Sequence, residues 1–119
     1  YACRSGTKGQ SYGPIEKIAW IVQPANGSLQ PIGKKTPNKW GLHDMLGNAA
    51  EWCYDRYHST YEGAPSDGTP WLAGRARLRV VRGALDPKSP THYRVTHRTG
   101  RMSHMRHRIL GFRVVLDQK

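Results

Sequence analysis

Glycine and proline recur along the whole chain of 119 residues, which holds 13 glycines and 8 prolines. Because both residue types interrupt regular helices and strands, this spread predicts short strands joined by long loops, with little helix. Hydrophobic residues make up 37% of the chain, fewer than in most globular proteins. A chain of this length and composition is expected to form one domain, residues 1–119, around a modest core.

Two segments have the pattern of strands. Leu78–Arg82 reads LRVVR, so that residues 78, 80 and 81 would face the core while Arg79 points outward. Gly111–Leu116 reads GFRVVL and is predicted as a terminal strand, with Phe112 and Val114 on one face. The sheet is therefore expected to be built from short strands.

The other segments have no clean period. Tyr1–Gly6 is typical of a helix end with a glycine C-cap, whereas Ile18–Val22 is either a buried strand or an irregular core segment. Ser59–Gly74 predicts a long surface loop, and Leu85–Arg108 is polar, basic and irregular. Long ordered loops in a small domain need anchors. The tryptophans are available for this role: Trp20, Trp40, Trp52 and Trp71.

No run of about 18 apolar residues is present, so no membrane span is predicted. A signal peptide is not visible, and the chain begins at Tyr1 without a methionine, so the sequence leaves the compartment open. The two cysteines, Cys3 and Cys53, are too few for a disulfide framework. They are compatible with one bridge or with two free thiols.

The net charge of +11 is concentrated in the second part of the chain. Residues 1–74 contain 7 Lys and Arg against 6 Asp and Glu, whereas residues 75–119 contain 12 against 2. Such a basic block attracts anions, for example nucleic acid, sulfated or acidic glycans, or an acidic membrane surface. A solvated basic face that aids solubility would have the same composition, because charge alone sets no specificity.

The most informative segment is Asn38–Tyr57, which reads NKWGLHDMLGNAAEWCYDRY. It resembles the signature of formylglycine-generating-enzyme-like domains, also called sulfatase-modifying-factor domains, N-x-(W/Y)-G-L-x-D-M-x-G-N-(V/A)-x-E-W-x-x-D-x-(Y/W). Further segments are similar to family segments and occur in the family order: Tyr1–Thr7, Pro31–Gly33, Arg79–Gly83 and Gly111–Val115. The resemblance therefore covers the whole chain.

The resemblance implies an irregular α+β fold of the C-type-lectin-like, formylglycine-generating-enzyme type. It also implies that the N-terminal part of the family domain is missing from this sequence. A missing part would leave core surface exposed, and a homodimer of this chain is one way to cover it.

A structural calcium ion is also implied by the resemblance. The carboxylates of Asp44 and Glu51 and the backbone carbonyls of Gly47 and Ala49 match the ligand positions of the family. Carboxylate and carbonyl oxygens are the ligands that calcium prefers in proteins. In the other interpretation, the two carboxylates only cap the loop and accept hydrogen bonds within it.

The catalytic pair of the family is absent from this sequence. The oxygenases hold copper between two cysteine thiolates, and soft thiolates select Cu(I). Lys88 and Tyr93 fall at the positions of those cysteines, while Cys3 and Cys53 lie in other segments. Formylglycine generation is therefore not expected.

Family members without the cysteine pair display a binding surface between their R-G and G-F-R strands. The resemblance thus predicts a non-catalytic ligand-binding module with a basic loop surface for an anionic, aromatic or protein partner. Non-specific nucleic-acid binding would rest on charge alone. The candidate ligand-binding residues are Lys88, His92, Tyr93, Arg94, His97, Arg101, His104, Arg106, His107 and Arg108.

The alternative is an enzyme of another kind on the same scaffold, either a metal-dependent oxidoreductase or a hydrolase. A hydrolase would use Ser89 or Ser103 with a neighbouring histidine and Asp86, although no G-x-S-x-G elbow is present. A copper or other transition-metal site would draw on His92, His97, His104, His107, Met102 and Met105. An irregular surface loop that carries histidines among arginines would show the same residues.

Two arginines of the basic block match the R-x-x-x-R spacing of the family. Arg94 and Arg98 are expected either to brace the loop by pairing with Asp55 or Glu51, or to face a ligand.

Overall fold

The computed structural model describes residues 1–21, 28–74, 77–83 and 90–116. These residues form one short helix, α1 (Ile15–Ile18), and a 3₁₀ turn at Pro90–Tyr93. The strands are β1 (Ala50–Arg56), β2 (Leu78–Arg82), β3 (Thr99–Met102) and β4 (Leu110–Gly111). Most of the described residues lie in loops and turns, as the glycine and proline content predicts. The chain is thus a small domain with little helix and one irregular sheet.

The four strands lie in the order β3-β2-β1-β4. β2 runs antiparallel to both β1 and β3, whereas β4 runs parallel to β1. The predicted strand Leu78–Arg82 is confirmed, with Val80 and Val81 buried. Trp52 pairs with Val81, and the register of the two strands shifts between Trp52 and Arg56, as it does at a β-bulge. The sheet therefore curls at the end of the family signature.

The predicted terminal strand is only partly present. β4 ends at Gly111, and residues 112–116 form no strand, so the prediction for them is wrong. The physical reason lies in the pairing, because β4 meets only Ala50 and Glu51 of β1. Beyond that point the described part of the chain offers segment 112–116 no strand to pair with.

β3 lies inside the block that was predicted to be irregular. Its sequence, TGRM, has no apolar alternation that would have predicted it. The strand forms because its backbone pairs with β2 from Leu78 to Val81. Gly100 allows this approach, since a Cβ atom there would lie 2.7 Å from the ring of Tyr57. Backbone pairing and a missing side chain, not hydrophobic periodicity, thus define β3.

The first residues form a turn and not a helix end. The amides of Arg4 and Ser5 both donate to the carbonyl of Tyr1, and Gly6 has a φ of 87°. The predicted C-cap glycine thus has the expected left-handed backbone, but it closes an isolated turn. Of the segment Ile18–Val22, which was predicted as a buried strand or an irregular core segment, Ile18 is the last residue of α1. Val22 lies outside the described residues.

The hydrophobic core sits beneath the family signature. Ile18, Ala19, Leu46 and Tyr93 are buried against one another. Gly47 holds the signature beside this core. Its backbone has a left-handed φ of 78° and forms a parallel bridge with Trp20. The core therefore lies between α1, the part of the signature just before β1, and the 3₁₀ turn of the basic block.

Two asparagines of the signature tie loops together. Asn38 donates from Nδ2 to the carbonyl of Ala2 at 2.7 Å, which fastens the first residues to the signature. Asn48 exchanges two hydrogen bonds with the backbone of Gln30, at 2.9 and 3.1 Å. These side chains satisfy backbone groups that have no sheet or helix partner.

Ser59–Gly74 is a long loop without helix or strand, as predicted. One of the expected tryptophan anchors holds it, because the Trp71 ring stacks on His58 with ring centroids 3.6 Å apart. The amide of Trp71 also donates to Asp55 Oδ1 at 3.0 Å. The loop is therefore fastened beside β1. In the described part of the chain, no helix is long and apolar enough to cross a membrane.

Candidate functional site

A cleft of about 770 Å³ lies beside β1. It is bounded by the end of β2, by residues of segment 94–97 and by the segment that follows β4. Side chains that can bind or react reach it from distant parts of the chain: Cys3, Cys53, Arg82, Arg94, His97 and Arg113. The fold thus brings the signature strand and the basic block to one place.

Glu51 and Arg113 form the ion pair of this cleft. Arg113 donates from Nε to Oε2 and from Nη2 to Oε1 of Glu51, each at 2.6 Å. Its Nη2 also donates to the carbonyl of Asp44 at 3.2 Å, and both terminal nitrogens reach the carbonyl of His43. Hydrogen bonding to Glu51 raises the pKa of Arg113 above its usual value. A cation is therefore already held between the Glu51 carboxylate and these two carbonyls.

Arg82 connects the sheet to the two loops that flank it. Its Nη1 donates to the carbonyl of His97 at 3.2 Å, and its Nη2 donates to the hydroxyl of Tyr61 at 3.2 Å. Arg82 is opposite Glu51 in the register of β1 and β2. Its position at the end of β2 therefore fixes segment 95–97 as one wall of the cleft.

His97 lies in that wall as part of a histidine pair. Its ring stacks on the ring of His92 with centroids 4.4 Å apart. Burial lowers the pKa of His97, and His92, Arg82, Arg101 and Arg94 lower it further in that order of effect. The uncharged imidazole is therefore favoured, so the ring can accept or donate one hydrogen bond at each nitrogen.

The two cysteines are free thiols that line the same cleft. Burial raises the pKa of Cys3, although the chain's amino terminus and nearby arginines act in the opposite direction. Burial also raises the pKa of Cys53, with Arg82 opposing it. The thiolate is the nucleophile and the metal ligand, so both residues are held in their less reactive form.

The predicted calcium ligands lie around a second cavity, of about 460 Å³. Asp44, Ala49 and Glu51 line it, whereas Gly47 does not. Asp44 is buried with a φ of 54°, and its Oδ2 accepts from the amide of Gly33 at 2.8 Å. Its Oδ1 is buried without a hydrogen-bond partner. An orphaned carboxylate oxygen fits a cation ligand.

Glu51 already binds Arg113 with both carboxylate oxygens. A calcium ion at Glu51 would therefore share that carboxylate with the guanidinium. Among the residues with described positions, no three His, Cys, Asp or Glu side chains converge in a group that could hold a metal ion. The calcium site therefore remains a prediction, with Asp44 as its best-placed ligand.

The predicted ligand-binding residues do not form one surface. Arg94 and His97 line the cleft, with His92 stacked on His97. Arg101 lies on β3 opposite Arg79, where its Nη1 donates to the hydroxyl of Thr99 at 2.9 Å. An exposed turn carries His104, Arg106, His107 and Arg108. Lys88 lies outside the described residues, as do Asp86 and Ser89.

Tyr93 requires a correction. It was predicted to contact a ligand, but its exposed fraction is 4% and it packs in the core with Ile18, Ala19 and Leu46. The 3₁₀ turn directs the ring inward, so that Tyr93 anchors the basic block to the core. Its aromatic ring therefore stabilises the domain and does not reach solvent.

Arg98 braces a loop, but through partners that differ from those predicted. Its guanidinium donates to the carbonyls of His58 and Thr60 and lies 4.1 Å from the centroid of the Tyr61 ring. The predicted partners are engaged elsewhere, since Glu51 binds Arg113 and Asp55 accepts from the Trp71 amide. Arg98 thus fastens β3 to the 59–74 loop by capping backbone carbonyls.

Arg82 and Arg113 are site residues that the sequence reasoning missed. Both lie in segments that carried the resemblance, RVVRG and GFRVV, but neither was assigned a role. The signal that could have found them is an arginine within each of two predicted strands, Leu78–Arg82 and Gly111–Leu116. Their partners, Tyr61 and Glu51, lie 21 and 62 residues away, distances over which a sequence does not reveal pairing.

Comparison with known proteins agrees with the signature. Residues 1–118 match the family described as the sulfatase-modifying factor enzyme 1-like domain. The chain belongs to this family. It is 31% identical to a formylglycine-generating enzyme of Streptomyces coelicolor, over 98% of this chain and 44% of that protein. It is also 31% identical to the mouse inactive C-alpha-formylglycine-generating enzyme 2, over 95% of this chain and 39% of that protein.

A solved structure gives the same fold. PvdO from Pseudomonas aeruginosa superposes with a TM-score of 0.84 at 32% identity, over 94% of this chain and 47% of that one. The predicted family and its irregular, helix-poor architecture are therefore confirmed, while the C-type-lectin relationship stays a prediction. The chain spans less than half the length of each of these relatives.

Proposed function

We propose that this chain is a non-catalytic ligand-binding domain of the sulfatase-modifying factor family. Its ligand carries an anionic group that binds in the cleft beside β1. The observation that carries this proposal is the convergence of Arg82, Arg94, His97 and Arg113 on one cleft of about 770 Å³. That volume lies within the range of about 300–1,000 Å³ typical of small-molecule sites.

The charges of the cleft favour an anion. The carboxylate of Glu51 is neutralised by Arg113, and Asp55 accepts a hydrogen bond from the Trp71 amide. Arg94 is exposed, and its guanidinium forms no hydrogen bond or ion pair with the described part of the chain. Arg94 is therefore the cation that can meet a ligand without breaking an existing contact.

The apolar lining of the cleft suits the body of such a ligand. Leu46, Trp52, Val95 and Val115 line it alongside the charged groups. A site that combines apolar walls with a few polar groups favours an organic anion, such as an aromatic sulfate or carboxylate, over a small inorganic ion. This agrees with the anionic or aromatic partner expected from the sequence.

Several observations support a binding role without catalysis. The positions that correspond to the paired cysteines carry Lys88 and Tyr93, and Tyr93 is buried in the core. The two thiols that line the cleft have raised pKa values, which disfavours the thiolate that copper and nucleophilic chemistry require. The family also contains a mouse relative named as inactive, so it accommodates members without the oxidase activity.

A calcium ion at Asp44 and Glu51 is a further part of the proposal. Its support is the buried, unpartnered Oδ1 of Asp44. The role would be structural, because the ion would hold the loop of Asp44 beside the end of β4. Gly111 and Phe112, at that end, line the same cavity as Asp44. Calcium binding and the Glu51–Arg113 ion pair would draw on the same carboxylate.

Titration with 1-naphthalenesulfonate by isothermal titration calorimetry tests the ligand site. We expect Arg94→Ala to weaken binding at least tenfold, because a charge-assisted contact contributes roughly 1.5–3 kcal/mol. Arg106→Ala is the matched control, since Arg106 is an exposed arginine of the same block that lines neither cavity. Circular dichroism establishes that both variants fold.

Equal losses for the two variants would contradict the proposal, because the basic block would then act by overall charge. The same measurement with a DNA duplex addresses the predicted non-specific nucleic-acid binding. Binding that rests on charge alone falls steeply between low and physiological salt and has no sequence preference. Affinity for the sulfonate should depend less on salt, because part of it comes from apolar contact.

A further inference from the structure

A small pocket of about 80 Å³ adjoins the cleft beside β1. The two cavities share three lining residues: Cys53, Asp55 and Arg82. The rest of the small pocket is lined by residues of the two central strands, of the 59–74 loop and of the segment before β3: Arg56, Tyr61, Trp71, Val80 and Arg98. Tyr61 is 60% exposed, so the small pocket can be reached from solvent. Three arginines therefore meet around one small space.

The size of the small pocket limits what it can bind. Its volume of about 80 Å³ is far below the roughly 300–1,000 Å³ of sites that enclose organic small molecules. A compact group such as phosphate or sulfate suits this space, whereas the aromatic body of a larger ligand does not. The small pocket is therefore suited to a different ligand from that of the cleft.

The lining of the small pocket carries an excess of positive charge. Three guanidiniums lie around one carboxylate, that of Asp55, which leaves a formal excess of two positive charges. Cys53 contributes no negative charge, because burial raises the pKa of its thiol. Within the described part of the chain, none of the three arginines forms an ion pair. A doubly charged anion would therefore balance the lining.

Two of the arginines are held in place by neutral groups. Arg82 donates to the carbonyl of His97 and to the hydroxyl of Tyr61, each at 3.2 Å. Arg98 donates to the carbonyl of Thr60 at 3.2 Å, and its guanidinium lies 4.1 Å from the centroid of the Tyr61 ring. Neutral partners fix a guanidinium without cancelling its charge, so both cations are positioned before an anion binds.

Arg56 is the least constrained of the three arginines. Among the described residues, its guanidinium donates only to the carbonyl of Gly74. A guanidinium has more N–H donors than this one bond uses. Arg56 also lies opposite Arg79 in the register of β1 and β2, and like charges in opposite positions destabilise a sheet. An anion beside Arg56 would offset this repulsion.

We propose that Arg56, Arg82 and Arg98 form a separate binding site for a doubly charged tetrahedral oxyanion. Phosphate and sulfate have this charge and shape, and arginine binds such groups through paired N–H···O hydrogen bonds. The oxyanion is either a free ion or the phosphate or sulfate group of a larger molecule that remains outside the small pocket. The site differs from that of the organic anion, because Arg94 and Arg113 line the cleft but not the small pocket.

Titration with inorganic phosphate at constant ionic strength, followed by phosphorus NMR, tests the site. We expect Arg56→Gln to weaken phosphate binding at least tenfold, because it removes a charge-assisted contact. Arg79→Gln is the matched control, since Arg79 is opposite Arg56, also donates to a carbonyl, that of Tyr54, and does not line the small pocket. Circular dichroism establishes that both variants fold.

Arg56→Lys keeps the test available if Arg56→Gln does not fold. It retains the charge but lacks the planar fork of donors, so it should weaken phosphate binding by a smaller factor. Glycerol phosphate distinguishes the two sources of the oxyanion. If it binds as tightly as inorganic phosphate, the site accepts the phosphate group of a larger molecule. If only inorganic phosphate binds, the site takes the free ion.

Three results would overturn the proposal. The first is no binding at about 10 mM phosphate, where a site with a Kd of about 1 mM would be mostly filled. The second is an equal loss in Arg56→Gln and Arg79→Gln, since overall charge would then hold the ion. The third is a loss in Arg94→Ala as large as that in Arg56→Gln, which would place phosphate in the cleft. Unchanged phosphate binding in Arg94→Ala, together with weakened binding of 1-naphthalenesulfonate, would support two separate sites.

Discussion

The guanidinium of Arg113 binds the carboxylate of Glu51 through two hydrogen bonds of 2.6 Å, although the residues are 62 positions apart. The pair joins the segment after β4 to the beginning of β1. The same guanidinium also donates to the carbonyls of His43 and Asp44. One side chain thus fixes the C-terminal segment, the signature strand and the loop that carries Asp44.

Removing this pair should cost stability. We expect Arg113→Met to lower the free energy of unfolding by about 1 kcal/mol, since bidentate pairs are stronger than ordinary surface pairs. The effect is limited by solvent, because the side chains of Arg113 and Glu51 are 35% and 23% exposed. Urea unfolding measures it, with Arg106→Met as the control. A loss no greater than that of the control would show that the pair does not stabilise the domain.

Calcium binding is tested separately by metal analysis and thermal melting. We expect the purified chain to carry about one calcium ion, and its melting temperature to fall on chelation. Asp44→Asn should abolish both effects, because it removes the carboxylate whose Oδ1 has no hydrogen-bond partner. Asp67→Asn is the control, since Asp67 is fully exposed and bonded to Thr69. Absence of calcium together with an unchanged melting temperature would mean that Arg113 alone serves this site.

The sequence predicted the family, because the signature keeps residue types at fixed positions. It predicted β2 from three apolar residues in five, and the 59–74 loop from its composition. β3 escaped prediction because its pairing depends on Gly100 fitting against Tyr57, which no periodicity encodes. The strand predicted to extend to Leu116 stops at Gly111, because a strand also needs a partner.

The predicted ligand-binding residues also show what a sequence does not reveal. Ten residues were predicted to face a ligand because they share charge or aromatic character and lie in one segment. The structure places Tyr93 in the core and Arg101 on β3, and brings Arg94 and His97 to the cleft. Composition identifies which segment is basic, whereas packing decides which of its side chains meet. Arg82 and Arg113 joined the site only through contacts across the fold.

The lowered pKa of His97 predicts a pH dependence of stability. Its ordinary value is 6.5, and burial, His92 and nearby arginines lower it in the folded chain. As the pH falls below that ordinary value, the unfolded chain takes up a proton at His97 before the folded chain does. Stability therefore falls with decreasing pH until the folded-state pKa is passed.

Substitution of His97 should reduce this dependence of stability on pH. We expect His97→Asn to lose less stability than the unaltered chain between pH 7.5 and pH 5.5, measured by urea unfolding at both values. His104→Asn is the control, since His104 lies in the exposed turn away from the cleft. If His104→Asn flattens the profile as much as His97→Asn does, the dependence reflects overall charge and not the half-buried His97 ring.

Gly47, which lies just before β1, should be less replaceable than Gly33. Gly47 has a φ of 78°, and a Cβ atom there would lie 2.4 Å from the carbonyl oxygen of Trp20. Gly33 has a φ of 72° but open space around the same position. Gly33→Ala should therefore cost only backbone strain, about 1–2 kcal/mol, whereas Gly47→Ala should add roughly 1–3 kcal/mol of overpacking. Urea unfolding of the two variants compares them directly. Failure of Gly47→Ala alone to fold would agree with the clash, and equal losses would show that the bridge to Trp20 yields without cost.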